Sequence, residues 1–109
     1  MQIFKLAHSK KVIDDVPNVS VITKIEVLGF NAPLEHYQLL SNFINDATVV
    51  NLTDEIVDLI INIRKKHRTK LPDAIIAATA MVHNLILITR NISDFKDIEG
   101  LELIDAHSK

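Results

Sequence analysis

The chain has 109 residues, which suits one domain with a single hydrophobic core. Hydrophobic residues make up 48% of it, which excludes a disordered chain, and two glycines are too few for a turn-rich all-β fold. There is no cysteine for disulfides or thiolate metal sites, and the net charge of −2 gives no general attraction to nucleic acid. Without a visible signal peptide or a membrane-length apolar segment, we expect a cytoplasmic protein with no membrane contact.

Strand and helix patterns alternate along the chain. The predicted elements, in chain order, are a short strand at 2–6, a weak helix at 8–16, a strand at 19–23, a helix at 24–30, a helix at 33–44, a strand at 48–52, a helix at 53–66, a helix at 72–83, a strand at 85–89 and a strand at 102–104. This order is typical of an α/β domain with a mainly parallel sheet. No boundary interrupts the pattern, so residues 1–109 are predicted to form one domain.

The predicted helix at 53–66 has a plausible N-cap in Thr53 and acidic residues in its first turn. It carries more apolar side chains than one contact with a sheet requires. Either burial inside the domain or contact with a partner protein accounts for the excess.

Residues 71–95 bring polar side chains to one edge of the predicted sheet. A helix of about 12 residues rises roughly 18 Å and the following strand returns by a similar length, so Asp73 and the pair Asn91 and Asp94 meet at one edge. Glu26 follows the strand at 19–23 and falls at the same edge. Ligands of open α/β sheets bind outside the carboxyl ends of the strands.

Four oxygen-bearing side chains at this edge favour a hard cation such as Mg²⁺, which polarises a phosphate and supplies a hydroxide nucleophile. Each has a structural alternative. Asp73 and Glu26 can simply stabilise the first turns of helices, and Asn91 and Asp94 are common loop residues.

Three sequence motifs resemble the PIN-domain ribonucleases, and among them the VapC-type toxins of type II toxin–antitoxin pairs. The motifs are PDAIIAATA at 72–80 with LITRN at 87–91 and DF at 94–95, and SVITKIE at 20–26. The resemblance implies a PIN-like (Rossmann-like) three-layer fold and a Mg²⁺- or Mn²⁺-dependent endoribonuclease. It further implies a cognate antitoxin, a homodimer and an RNA substrate, for which single-stranded or looped RNA is favoured because its bases are accessible.

The resemblance also assigns roles to residues of the site. Glu26 and Asp73 match acidic positions of the family, and Asn91 stands where the family has a fourth acidic residue. The implied metal ligands are Glu26, Asp73, Asn91 and Asp94, of which Glu26, Asp73 and Asp94 are catalytic. Asp94 takes over the role of the neutral Asn91.

Basic and hydroxyl side chains near the acidic residues complete the predicted site. Arg90, Lys65, Lys66 and Arg68 are candidates for binding the RNA backbone, and Thr23 and Thr89 for holding the carboxylates in place. The alternatives are a solvated helix end for residues 64–70, an ion pair for Arg90, and ordinary filler positions for the two threonines.

The family's first motif, a central strand ending in Asp, has no counterpart among the 25 residues before Glu26, because Asp14 and Asp15 lie in the weak helix. Three explanations stay open: a gene product that begins earlier, residues 2–6 as a substitute strand, or a strand supplied by a second chain. We expect weak metal binding and poor or no cleavage of RNA. The alternative function is a non-catalytic, degenerate PIN-like module that binds nucleic acid or the antitoxin.

Overall fold

The computed structural model describes residues 5–7 and 17–105. Its strands are β1 (Lys5–Ala7), β2 (Asn18–Ser20), β3 (Thr48–Val50), β4 (Ile86–Thr89) and β5 (Leu103–Asp105). Its helices are α1 (Val21–Gly29), α2 (Leu34–Asp46), α3 (Asp54–Lys66), α4 (Leu71–Val82) and α5 (Ile92–Phe95). The weak helix predicted at 8–16, together with Asp14 and Asp15, lies outside the described residues.

The strands form one sheet in the order β3-β2-β1-β4-β5. β2 pairs parallel with β3, and β4 pairs parallel with β5. The central strand β1 runs antiparallel to both neighbours, with Leu6 opposite Asn18 on one side and Leu87 on the other. Four strands therefore share one direction, which confirms the α/β class and the mainly parallel sheet, and a short reversed segment of the same chain occupies the central place.

The β1–β2 seam is short. Its register joins a single pair, Leu6 and Asn18, and the Asn18 side-chain amide donates a hydrogen bond of 3.3 Å to the Leu6 carbonyl. Leu6 is fully buried and belongs to the main hydrophobic cluster. Of the three explanations for the missing strand, the structure has residues 5–7 filling the gap, with two positions inside the predicted 2–6 and one beyond it.

The boundary between β2 and α1 differs from the prediction. The strand expected at 19–23 ends at Ser20, whose side-chain oxygen accepts a hydrogen bond of 3.2 Å from the Ile22 backbone N–H and caps α1. The β-branched residues that follow suggested a strand, but packing of α1 against the sheet and the serine cap select a helix. Thr23 and Glu26 therefore both lie on α1, one turn apart.

The core is built around α4, whose residues 74–80 are all buried. Alanine at four of those seven positions lets α3 and the sheet approach closely, and Ile56, Ile60 and Ile63 of α3 pack into the same cluster. α3 also leaves Val57 and Ile61 exposed, so its excess of apolar side chains is divided between burial and surface. Within the described residues, no helix has the length and apolarity needed to cross a bilayer.

Candidate active site

Asp73 occupies the first turn of α4, directly after Pro72. Burial raises the pKa of the Asp73 carboxyl, and the negative charges of Asp94 and Glu26 raise it further, while the ammonium of Lys70 lowers it. These interactions require all three side chains to lie near Asp73. The structure thus brings acidic groups of α1, α4 and α5 within electrostatic reach of one another.

A pocket of about 250 Å³ lies beside Asp73. Asp73, Asp94 and Asp97 form its acidic part, residues 67–70 form its basic part, and Ser93 and Ile98 complete the lining. The volume equals roughly that of eight water molecules in the liquid, so it suits a hydrated ion or a phosphate group and not a drug-sized ligand. Glu26 and Asn91 do not line this pocket.

Asp97 was missed by the sequence analysis because the segment after β4 was predicted to be a loop. The segment folds into the short helix α5, which is anchored by Phe95, a fully buried side chain. Asp94 and Asp97 are three residues apart, so continuing the helical spacing places them on one side. The signal in the sequence that could have identified Asp97 is Phe95, whose aromatic side chain anchors this segment in the core.

Thr89 was predicted to hold the carboxylates, and the structure gives its hydroxyl a different contact. Its oxygen accepts a hydrogen bond of 3.0 Å from the Asn91 backbone N–H. Thr89 is buried, so this bond fixes the turn between β4 and α5. Thr89 therefore influences Asp94 only indirectly, by fixing the position of α5, the helix that carries Asp94.

Asn91 is half-buried at the start of α5, and its side chain makes no capping hydrogen bond there. Arg90, just before it, is exposed and does not line the pocket. No contact among the described residues joins Asn91 or Arg90 to the carboxylates of Asp73 and Asp94.

Thr23 is buried in α1, and its hydroxyl oxygen has no hydrogen-bond partner among the described atoms. Leaving a buried hydroxyl unpaired costs about 1–3 kcal/mol, which is unusual away from a functional site. Glu26, one turn further along α1, is exposed. The contact predicted between Thr23 and a carboxylate is not made.

The donor atoms fit a hard cation in kind but not as a finished cage. Carboxylate oxygens are the ligands that Mg²⁺ prefers, and a cation would relieve the repulsion that Asp94 exerts on Asp73. Among the described residues, however, no three His, Asp or Glu side chains converge closely enough to form a metal cluster. A cation here would keep most of its bound water, as Mg²⁺ commonly does.

The basic residues divide between different surfaces. Arg68 lines the acidic pocket together with His67 and Lys70. Lys65 instead borders an open apolar groove beside Ile61, and Lys66 borders a separate pocket beside Met81. Of the three predicted RNA-binding residues in this segment, only Arg68 is placed beside Asp73.

Comparison with known proteins identifies the class. The PIN domain family matches residues 6–101, and the chain belongs to that family. Its 37 best-matching residues are 51% identical to ribonuclease VapC1 of Rickettsia felis, a match that spans 34% of this chain and 28% of the relative. The chain thus matches less than a third of the length of that curated relative.

Solved structures of similar fold include a toxin-antitoxin complex and two VapBC structures. A toxin-antitoxin complex from Klebsiella pneumoniae is 33% identical with a TM-score of 0.70, covering 84% of this chain and 75% of that chain. The fold is also similar to DNA-bound VapBC from Salmonella typhimurium, at 23% identity and a TM-score of 0.71 over 81% of this chain and 74% of that one. VapBC2 from Rickettsia felis, bound to a DNA fragment from its promoter, has 21% identity and a TM-score of 0.72 over 84% of this chain and 76% of that one. The predicted resemblance to VapC-type PIN domains is confirmed.

Proposed function

We propose that the chain is a metal-dependent endoribonuclease of toxin type whose activity is weak in this form. The observation that carries the proposal is the electrostatic coupling of Asp73 to Asp94 and Glu26, carboxylates delivered by three different elements. Membership of the PIN family and the similarity to a ribonuclease support the reaction class. The substrate proposed is RNA, and the proposed location is the cytoplasm.

Asp73 and Asp94 are the residues that would hold Mg²⁺ or Mn²⁺, with Glu26 and Asn91 acting from the rim through water. The bound cation supplies polarisation of a phosphate and a hydroxide nucleophile. Asp73 ligates only when ionised, so its raised pKa makes metal binding and loss of its proton linked events. Thr89 holds the turn that orients α5 and hence Asp94.

The expected weakness follows from the central strand. In the family resemblance this strand ends in an Asp that ligates the metal, whereas here the place is taken by the reversed strand β1 with buried Leu6. With fewer carboxylates, the site attracts a divalent cation less strongly. We therefore propose weak metal binding and slow but measurable cleavage.

The test compares Asp73→Asn with Asp58→Asn, a control at an exposed position of α3. Calorimetric titration with Mn²⁺ is expected to give weak binding to the unmodified chain and to Asp58→Asn, and none to Asp73→Asn. Equal Mn²⁺ binding by both variants would refute the site. Rapid Mg²⁺-dependent cleavage of RNA that Asp73→Asn abolishes would keep the site but refute the proposed weakness.

A second candidate function is a non-catalytic PIN-like module that binds a nucleic acid or an antitoxin. The absence of a three-ligand acidic cluster among the described residues favours it. Measurable binding of RNA without any cleavage in Mg²⁺ or Mn²⁺ would select it over the enzyme.

For the partners, we propose a cognate antitoxin and a homodimer. The neighbours of similar fold include toxin–antitoxin complexes, which supports the first of these. Large apolar side chains are exposed on α1 and α2, where Ile25, Leu34 and Leu39 are 60%, 71% and 69% accessible. Co-expression with the protein encoded beside this gene, followed by size-exclusion chromatography, tests both proposals. We further propose that residues 1–109 form one domain.

A further inference from the structure

The linker between α3 and α4, residues 67–70, gives the acidic pocket a positively charged wall. Arg68 and Lys70 are both exposed, and both line the pocket that contains Asp73, Asp94 and Asp97. Two cations of this linker thus line the same pocket as three carboxylates. The charge pattern is therefore local, since the chain as a whole has a net charge of −2.

The arrangement fits an anion that must approach carboxylates. A phosphodiester group is repelled by Asp73 and Asp94 unless positive charge lies beside them. Lys70 supplies such charge, since its ammonium lowers the pKa of Asp73 against the effects of burial and of Asp94. Arg68 adds a planar guanidinium that can bind two phosphate oxygens together.

We propose that Arg68 and Lys70 bind the phosphate backbone of a single-stranded RNA and hold it across the pocket beside Asp73. The proposal rests on the proposed function and names the residues that position its substrate. The contact belongs to this linker and not to the neighbouring cations of α3. Lys65 and Lys66 precede it directly in sequence but border other surfaces, and they provide a control matched in charge and position.

The experiment measures binding in EDTA, so that it does not depend on cleavage. Fluorescence anisotropy follows a short fluorescein-labelled oligouridylate on the full chain as salt rises from about 50 to about 200 mM. Each phosphate contact to a single strand contributes about −0.7 to the slope of log affinity against log salt. Arg68→Ala with Lys70→Ala is expected to flatten the slope by about 1.4, so that the unmodified chain loses roughly sevenfold more affinity over this range than the double variant.

Two further double variants and one further probe make the outcome decisive. Lys65→Ala with Lys66→Ala is expected to leave the slope unchanged, and Arg68→Lys with Lys70→Arg to preserve it. An equal slope change in both alanine pairs, or none in either, would overturn the proposal. Absence of binding, or tighter binding of an oligodeoxyuridylate than of the oligouridylate, would overturn it as well. If Lys70 only offsets the charge of Asp73, its loss changes stability and leaves the slope intact.

These outcomes separate the proposal from the proposed function. A flattened slope without cleavage in Mg²⁺ supports the backbone contact and refutes the enzyme. Cleavage with an unchanged slope supports the enzyme and refutes the contact.

Discussion

Replacing Leu6 by alanine tests whether β1 really is the central strand of the sheet. Leu6 is fully buried, pairs with Leu87 of β4, and lies in the same hydrophobic cluster as the residues of α4. A strand of three residues has few backbone hydrogen bonds, so its side chain must supply much of its attachment. The substitution removes that side chain and leaves the backbone donors and acceptors in place.

Truncating a buried leucine to alanine costs about 2–5 kcal/mol, because transfer energy is lost and a cavity forms. Leu6 has no solvent exposure through which the site can relax, so we expect about 3 kcal/mol. A domain of this size has a total stability of about 5–15 kcal/mol, so the loss is a large fraction of it. The melting temperature should fall by roughly 10–20 °C.

The assay is urea denaturation followed by circular dichroism, with Leu39→Ala as the control. Leu39 lies on α2 and is 69% exposed, so its truncation should change the free energy of unfolding by less than about 0.5 kcal/mol. Equal effects of the two substitutions would show that residues 5–7 do not pack between β2 and β4. That result would favour the alternative in which a second chain supplies the central strand of the sheet.

Three further predictions concern the site and the helix that carries Glu26. The pKa of Asp73 is raised in the folded state, so the protonated carboxyl stabilises the fold below its ordinary pKa of 3.8, and this contribution is lost as the pH rises through the folded pKa. At pH 7 the buried carboxylate is charged and costs stability. Asp73→Asn should therefore increase the melting temperature at pH 7 and not at pH 3. Thr23→Val removes an unpaired buried hydroxyl and should raise the free energy of unfolding by about 1 kcal/mol, measured in urea. Ser20→Ala removes the cap of α1 and should lower the free energy of unfolding by about 0.5–2 kcal/mol in the same assay.

Each of these predictions has a result that contradicts it. A melting-temperature gain for Asp73→Asn that persists at pH 3 would assign the effect to something other than ionisation. Thr79→Val is the control for Thr23→Val, because the Thr79 hydroxyl donates a hydrogen bond of 2.7 Å to the Ile75 carbonyl. An equal gain in the free energy of unfolding for both variants would show that the unpaired state of the Thr23 hydroxyl is not the cause. No loss in Ser20→Ala would show that the Ser20 hydroxyl does not stabilise the start of α1.

The regular elements with strong local signals could be predicted from the sequence. Thr53 caps α3 through a 3.2 Å bond from the Ile56 N–H, as its position before acidic residues indicated. Asn84 ends the region of α4 with a φ of 54°, a left-handed conformation that asparagine tolerates well. The apolar run after Asn84 forms β4. It could be predicted as a strand because a strand covered on both faces carries apolar residues without polar alternation.

The failures have one physical origin, since each depended on contacts distant in sequence. The run at 21–23 favours a strand locally, but the capped helix packs on the sheet and overrides that preference. α5 has only four residues, too few for a helical period to be visible, and Phe95 anchors it from inside the core. The direction of β1 depends on its pairing with β4 and leaves no trace in three residues.

The direction of the central strand limits what the site can contain. β1 begins at the edge where β2 and β4 end, because Lys5 pairs with Ile88 and Ala7 with Ile86. Its last residue lies at the opposite edge, so the convergence that brings the ends of parallel strands together does not apply to it. The difference from the family pattern is therefore one of strand direction as well as residue type. Among the described residues, the carboxylates that raise the pKa of Asp73 lie on α1 and α5, so we expect the coupling of Asp73 to Asp94 and Glu26 to determine how strongly a cation binds.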